Sequence, residues 1–145
     1  MSEHRITLNW TDGGKPFTYE SYPREHGITF KDGRQVITAS ASPVYKGDGL
    51  HGDPEDLLVA ALSSCHMLSF LAICAKKKIA VQSYDDDAVG QLESEGGKLW
   101  ITKVTLRPKV VSSADAATLE QVHHLAHEAC FIANSVKTEV TVAPR

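Results

Sequence analysis

The residues best suited to covalent chemistry in this 145-residue chain are its three cysteines, Cys65, Cys74 and Cys130. A thiolate attacks electrophiles such as a peroxide oxygen, whereas the protonated thiol reacts poorly. Widely spaced cysteines behind an N-terminus without a recognisable secretory signal do not suggest a disulfide scaffold. Buried, catalytic and metal-binding thiols all remain open, and a buried cysteine is most often a small apolar core residue.

Helical spacing limits which cysteines work together. Cys65 and Cys74 are nine residues apart in one predicted helix, so their side chains point from opposite sides of it. Two such cysteines do not reach each other within an intact helix. If any pair works together, it is therefore Cys65 with Cys130, which lie on different predicted helices, and Cys74 is expected to fill the core.

A thiolate on an apolar helix needs a nearby cation, because burial alone favours the neutral thiol. Arg24 follows a predicted strand and Pro23, a position from which its side chain could project over a helix. Glu55 could hold that guanidinium in a bidentate pair and aim it. Arg34 lies in the same strand region and is the alternative. The simpler structural explanation for Arg24 is a solvated turn residue. For Glu55 it is a carboxylate that interacts with the dipole of the helix in its first turn.

The element that carries Cys65 has the strongest helix start in the sequence. Asp53 suits the N-cap, Pro54 suits the first helical position, and acidic residues follow in the first turn. The predicted helix covers residues 54–78. It is apolar on most sides from Leu57 to Ile73, so a partner subunit could supply the cover that a small domain lacks.

The remaining elements predict an α+β fold in a single domain of residues 1–145. A second helix is expected at residues 114–130, capped by Ser113 or Asp115. Turns are expected at Asp32-Gly33 and around Gly96-Gly97. The predicted strands cover residues 5–10, 17–22, 27–31, 35–39, 83–95, 99–111 and 137–142.

Composition removes several classes of function. The net charge of −3 and the lack of a basic patch argue against nucleic-acid binding. The longest apolar segment, residues 57–75, is interrupted by Ser63, Ser64, His66 and Ser69, which favours a soluble core helix over a membrane span. A cytoplasmic location is therefore expected.

Helix geometry suggests a homodimer. Glu55 and Cys65 are ten residues apart, about 15 Å along one helix axis, so one arginine would have difficulty touching both. Two copies of the helix packed antiparallel about a two-fold axis would bring one subunit's Glu55 toward the other's Cys65. The hypothesis is a homodimer with composite active sites.

Three segments together resemble the OsmC/Ohr family of osmotically inducible and organic-hydroperoxide-resistance proteins. They are Tyr22-Pro-Arg-Glu-His26, Asp53-Pro-Glu-Asp-Leu-Leu-Val-Ala-Ala-Leu-Ser-Ser-Cys-His-Met67 and Ala126-His-Glu-Ala-Cys-Phe-Ile-Ala-Asn134. Ser64-Cys65-His66-Met67, and Phe131-Ile132 in place of the Pro-Tyr of the Ohr branch, indicate the OsmC-like side of the family.

The resemblance implies both a fold and an activity. The fold would be an intertwined α+β homodimer with two long central helices and antiparallel sheets outside. Cys65 would be oxidised by an organic hydroperoxide to a sulfenic acid, and Cys130 would resolve it as a disulfide. Arg24 would stabilise the thiolate and Glu55 would orient Arg24. A dithiol, in this family a lipoyl group on a protein, would supply the electrons, without metal, haem or flavin.

Three other interpretations compete with a peroxidase. His123, His127 and Cys130 have a spacing that could share a metal ion, although solvent-facing histidines are the plainer explanation. A cysteine hydrolase would need a base, and His66 points about 100° away from its neighbour Cys65. The third is a non-catalytic stress or small-ligand-binding protein.

Overall fold

Residues 1–57 form a three-stranded antiparallel sheet followed by the first helical turn. The structure, a computed structural model, describes all residues from Met1 to Arg145, in two compact units that meet in sequence between Leu57 and Leu58. The sheet has the order β1 (Ile6–Asn9), β2 (His26–Phe30) and β3 (Gln35–Ala39). The expectation of one domain over residues 1–145 stays a prediction.

The hairpin between β2 and β3 confirms the turn predicted at Asp32-Gly33. Lys31, Asp32 and Gly33 all have positive φ angles, and Phe30 pairs with Gln35 across the turn. Gly33, at φ 93°, adopts this conformation without the steric cost of a side chain. The tight turn places β3 directly beside β2.

The strand predicted at residues 17–22 is wrong. Tyr22 N and Ser21 N both donate to the carbonyl of Thr18, and the Ser21 hydroxyl donates to the carbonyl of Pro16 at 2.6 Å. Side chains of serine and threonine that bond to the nearby backbone compete with a strand ladder. The alternation of residue types therefore ends in a compact turn.

Helix α1 (Pro54–Lys76) carries Cys65 and begins as predicted. The Asp53 carboxylate accepts from Asp56 N at 2.9 Å, and the Asp56 carboxylate accepts from Asp53 N at 3.2 Å, a reciprocal cap. The helix stops two residues before the predicted end, because Lys78 turns left-handed (φ 60°) and Ile79 N bonds back to Cys74 O.

The long strands predicted at 83–95 and 99–111 are each two shorter strands. β4 (Val81–Asp86) pairs with β7 (Pro108–Ser112), while β5 (Val89–Glu95) pairs with β6 (Lys98–Leu106). Between them, Arg107 donates from its backbone N to the Asp86 carboxylate and from its side chain to Asp87. This local network lets the chain leave one sheet for the other. β8 (Glu139–Val142) pairs with β6 in parallel.

Helix α2 (Ala116–Glu128) is shorter than the predicted 114–130. Asp115 is its N-cap and accepts from Thr118 N at 2.7 Å, and Ala129 is its C-cap. Cys130 therefore lies in the turn beyond the helix. The α+β class with two helices and antiparallel sheets is confirmed, and the parallel β6–β8 pair adds one exception.

The core of residues 58–145 lies between the helices and the sheets. One cluster of buried side chains comprises Leu62, Ile101, Val104 and Leu106, and a second comprises Phe70, Cys74, Val122 and Ala126. The α1 residues that are buried recur every fourth position at Leu62, His66, Phe70 and Cys74. A different stripe of α1, Ala60, Ser64, Leu68 and Ala72, is exposed in the single chain.

Candidate active site

Cys65 lies near the middle of α1, between its buried and exposed stripes. Its side chain is partly exposed, whereas Cys130 is only 1 % exposed. All three cysteines are free thiols. Access from solvent to the two candidate cysteines is thus unequal.

The turn after α2 holds Cys130 in place. Cys130 N donates to His127 O at 3.2 Å, and Asn134 N donates to Cys130 O at 3.0 Å. The Asn134 side chain also caps Glu128 O at 3.0 Å. These bonds fix the backbone on both sides of Cys130.

The structure brings Cys65 and Cys130 together. Burial raises the pKa of Cys130, and the neighbouring Cys65 thiol raises it further. The backbone N–H groups of Ala133 and Ile132 oppose that rise because they donate toward the Cys130 sulfur. Burial thus favours the protonated form of the Cys130 thiol.

Cys74 lies away from this pair, in the buried cluster with Phe70 and Val122. It is 1 % exposed, and burial raises its pKa. A neutral thiol without access to solvent is a poor nucleophile. The expectation that Cys74 fills the core is confirmed by its burial.

Arg24 is held within residues 1–57 by backbone carbonyls. Its Nε donates to Tyr45 O at 3.2 Å, its Nη1 to Tyr22 O at 2.5 Å and its Nη2 to Tyr19 O at 2.6 Å. The guanidinium also lies 3.6 Å from the centre of the Tyr22 ring. The side chain is 8 % exposed, so the plain role of a solvated turn residue does not hold.

Glu55 and Arg34, the other two residues considered with Arg24, form fewer contacts than Arg24 does. Glu55 lies in the first turn of α1 and forms no ion pair in the single chain. Arg34 is exposed and ends the turn between β2 and β3. Burial thus distinguishes Arg24 from Arg34, and the pairing of Arg24 with Glu55 stays a prediction.

A buried pair of histidines is the feature that sequence reasoning missed. His66 Nε2 and His123 Nδ1 are 3.1 Å apart, with the rings stacked at 5.4 Å between centroids. His66 is 0 % exposed and His123 4 %, so solvent exposure of the α2 histidines is wrong for His123. The signal was present, because residue 123 shares the helix face of Leu119, Val122 and Ala126.

The histidine pair and the cysteine pair are separate. His123 is bonded to His66 rather than directed at Cys130, so the competing interpretation of His123, His127 and Cys130 as a shared metal site has no support in this geometry. No group of three or more His, Cys, Asp or Glu side chains is arranged to hold a metal ion. His66 is likewise engaged away from Cys65, as its place on the helix predicted.

The histidine pair predicts a loss of stability in acid. The pKa of His66 is lowered from 6.5 to about 4, first by burial and then by His123 and His127, and the pKa of His123 is lowered by burial. Asp86 opposes both shifts, and the hydroxyl of Tyr84 faces the same cluster without a partner. As the pH falls, these histidines therefore take up protons in the unfolded chain at a higher pH than in the folded protein. Their contribution to the free energy of unfolding is complete above pH 6.5 and is lost as the pH falls toward 4.

The expected loss between pH 7 and 4.5 from His66 alone is about 2 kcal/mol in the free energy of unfolding. Urea titrations of the wild type and of a His66→Leu/His123→Leu variant at both pH values would measure it. The variant should lose less stability in acid than the wild type. His124→Leu, at a 73 % exposed side chain, is the control. Equal acid losses in the wild type and the double variant would contradict this account.

Comparison with known proteins places this arrangement in a family. The family model described as OsmC-like protein matches residues 47–145. An OsmC-like protein of unknown function from Vibrio cholerae has a structure with a TM-score of 0.92 and 47 % identity, and the match covers 100 % of both chains. A search of curated proteins found no match. The chain belongs to the OsmC-like protein family.

More distant structures share the fold. The organic hydroperoxide resistance protein OsmC from Legionella pneumophila is 18 % identical with a TM-score of 0.73, over 99 % of this chain and 96 % of that chain. The organic hydroperoxide resistance protein OhrB of Bacillus subtilis is 16 % identical with a TM-score of 0.71, over 99 % and 98 %. The resemblance inferred from the three sequence segments is confirmed.

Proposed function

We propose that this protein is a thiol peroxidase that reduces organic hydroperoxides to alcohols with Cys65 and Cys130. The observation that carries the proposal is that these two thiols are neighbours on different elements, one partly exposed and one buried. Two distant relatives that share the fold are named organic hydroperoxide resistance proteins. The mechanism below is argued from the residues of this chain.

The first half of the cycle oxidises Cys65. Its thiolate attacks the terminal oxygen of the hydroperoxide, the O–O bond breaks, and the alkoxide takes a proton to leave as the alcohol. Cys65 is left as a sulfenic acid. The sulfur of Cys130 then forms a bond with that of Cys65, and the hydroxide leaves with the proton of the Cys130 thiol as water. The proximity of the two thiols in the reduced protein favours this step over release of the sulfenic acid.

An organic substrate is favoured by the apolar surface near the pair. Phe131 follows Cys130 directly and is 80 % exposed, while Ile132 packs on the buried cluster around Leu62. An alkyl or fatty-acid chain that covers Phe131 would remove its ring from water, and hydrogen peroxide has no such group to offer. A dithiol such as a lipoyl group would return the disulfide to two thiols.

Arg24 and Glu55 are proposed to complete the site from the partner subunit. The midpoint between residues 55 and 65 of α1 is residue 60, where Ala60 and Ala61 are small and exposed. Small residues allow two helices to approach closely. An antiparallel crossing there would set Glu55 beside the partner subunit's Cys65. The Arg24 guanidinium would then give up one of its hydrogen bonds to a backbone carbonyl and donate instead to the Cys65 thiolate.

A homodimer would bury the face of α1 that is exposed in the single chain. By length and composition α1 could cross a membrane. However, Ser63 bonds to Asp86 at 2.5 Å and His66 bonds to His123, so two polar side chains in the middle of α1 have partners within residues 58–145. We therefore propose that a second copy of the chain covers the exposed stripe of Ala60, Ser64, Leu68 and Ala72. A cytoplasmic location is proposed with it.

Disruption of this interface gives a prediction. Ala60→Glu is expected to convert the protein from dimer to monomer at micromolar concentration, because a carboxylate would be buried at the crossing. Light scattering during size-exclusion chromatography measures the mass. Ala117→Glu, at an exposed position of α2, is the matched control and should remain dimeric. A wild type that is monomeric in this experiment would refute the proposed dimer.

A turnover assay tests the function. The protein is mixed with dihydrolipoamide and cumene hydroperoxide, and loss of hydroperoxide is followed against a reaction without protein. We expect many turnovers per protein, with cumene hydroperoxide consumed at least ten times faster than hydrogen peroxide. A rate no greater than that of free cysteine would overturn the proposal and favour a non-catalytic ligand-binding protein.

A further inference from the structure

We propose that the α2 groove, which lies between α2 and residues 140–145, binds a small neutral organic molecule through an oxygen that accepts a hydrogen bond from His123 Nε2. The groove does not include the cysteines, so this inference is independent of the proposed peroxidase function. The shape of the groove, the hydrogen bonds of His123 and the charges at the rim support it.

The α2 groove consists of two neighbouring cavities that share Glu120, His123 and Pro144 as lining residues. Their volumes are about 330 and 390 Å³, within the range of small-molecule sites. The smaller cavity has mostly apolar walls, formed by Pro108, Val110, Ala116, Leu119 and Pro144. It therefore offers cover to the apolar body of a small organic molecule.

His123 is the buried polar group at the floor of the groove. Its side chain is 4 % exposed, its ring stacks on Phe70 with 4.2 Å between centroids, and its Nδ1 lies 3.1 Å from His66 Nε2. Its other ring nitrogen, Nε2, has no hydrogen-bond partner in the chain, and the ring edge that carries it is left to line the cavities. An unpaired buried polar atom costs free energy, which a ligand with a suitable atom would recover.

The hydrogen bond between the histidines assigns the proton on His123. Burial lowers the pKa of both rings, so at neutral pH each is uncharged and carries one N–H group. His66 Nδ1 is buried without a partner, and a buried N–H group without an acceptor is rare in folded proteins. His66 therefore carries its proton on Nε2 and donates it to His123 Nδ1. His123 then has its own proton on Nε2, and the groove presents a donor that needs an acceptor atom.

The charges around the groove favour a neutral ligand. Glu120 is exposed at the rim and lines both cavities. Arg145 lines the smaller cavity, but its guanidinium donates to Arg107 O at 2.8 Å and lies 3.9 Å from the Asp87 carboxylate. An anion would face the Glu120 carboxylate beside a cation that is already engaged, and an ammonium group could not accept from His123. A carbonyl or hydroxyl oxygen on an apolar body meets neither obstacle.

The groove also lies away from the surface that the proposed partner subunit would cover. On α1, Ser64 and Leu68 of the exposed stripe are each two positions from His66, about 200° around the helix. His66 points in the other direction, to His123. The groove beyond His123 is therefore on the opposite side of α1 from that stripe.

Titration with acetophenone tests the site. Nitrogen-15-labelled protein at neutral pH is titrated with acetophenone, with benzoate, which carries a charge, and with ethylbenzene, which lacks the oxygen. We expect acetophenone to shift the amide signals of Val110, Leu119 and Glu120 saturably. Its dissociation constant should be at least tenfold lower than that of benzoate and at least threefold lower than that of ethylbenzene. No saturable shift at these residues, or equal affinity for either analogue, would overturn the proposal.

Adjacent alanines of α2 provide a matched pair of variants. Ala116 and Ala117 are both exposed, and of the two only Ala116 lines the smaller cavity. Ala116→Trp is expected to fill this cavity and to weaken acetophenone binding at least tenfold, whereas Ala117→Trp should bind like the wild type. Thermal unfolding checks that both variants are folded. Equal binding by the two variants would place acetophenone elsewhere and contradict the proposed site.

Long-range proton–nitrogen spectra of the histidine rings test the donor without any substitution. We expect neutral His123 to carry its proton on Nε2, and the signal of that nitrogen to shift when acetophenone binds. A proton on His123 Nδ1 would make Nε2 an acceptor and would overturn the proposed class of ligand.

Discussion

Cys65→Ser is expected to lower the rate of cumene hydroperoxide consumption by at least 1,000-fold, to the level of the reaction without protein. The physical reason is that a serine hydroxyl stays protonated at neutral pH and does not accept the peroxide oxygen. The substitution is close to isosteric, so the fold should be retained. Hydroperoxide remaining after fixed times in the presence of dihydrolipoamide measures the effect.

Cys74→Ser is the matched control for the loss at Cys65. It lies on the same helix, but it is 1 % exposed in the core beside Phe70 and Val122. We expect nearly unchanged peroxidase activity and a lower free energy of unfolding by about 1–2 kcal/mol, because a hydroxyl replaces an apolar contact. Activity that depends on Cys74 and survives Cys65→Ser would contradict the assignment.

Arg24→Ala is expected to lower the same rate by at least 100-fold. In the single chain the guanidinium donates to the carbonyls of Tyr19, Tyr22 and Tyr45. In the proposed dimer it also stabilises the Cys65 thiolate of the partner subunit. Without the positive charge, the thiolate loses its stabilising partner. Stopped-flow reaction of the reduced variant with cumene hydroperoxide measures the rate.

The Arg24 experiment needs controls, because Arg24→Ala also leaves three carbonyls unpaired and should lower stability. Added guanidinium ions or the Arg24→Lys substitution should restore part of the rate, since either returns a cation to the site. Arg34→Ala, at the exposed alternative, should react like the wild type. A fully active Arg24→Ala protein would exclude Arg24 from the chemistry.

The parts of the fold that were predictable depend on local chemistry. Asp53 with Pro54, Asp115 and Asp32-Gly33 each act through bonds to residues within a few positions, and the structure confirms the helix starts and the hairpin they predicted. The strand expected at residues 17–22 failed because Thr18 and Ser21 use their hydroxyls in local bonds that residue alternation does not reveal.

The less predictable parts depend on residues far apart in sequence. The breaks in the long strands arise from bonds of Arg107 to Asp86 and Asp87, twenty positions away or more. The His66–His123 pair spans 57 positions, so the face of α2 predicts that His123 is buried, but no local pattern predicts that its partner is His66. Resemblance supplied the roles of Cys65 and Cys130, whereas their proximity and unequal burial are evident only in the folded chain.

The most direct test of the central claim is the mass of the reduced protein after one equivalent of cumene hydroperoxide. We predict a decrease of about 2 Da for loss of two hydrogens, with a peptide that links Cys65 to Cys130. In Cys130→Ser, a trapped sulfenic acid should instead add about 16 Da at Cys65. An unchanged mass for the wild type, or oxidation of the two cysteines without a link between them, would contradict the two-cysteine mechanism.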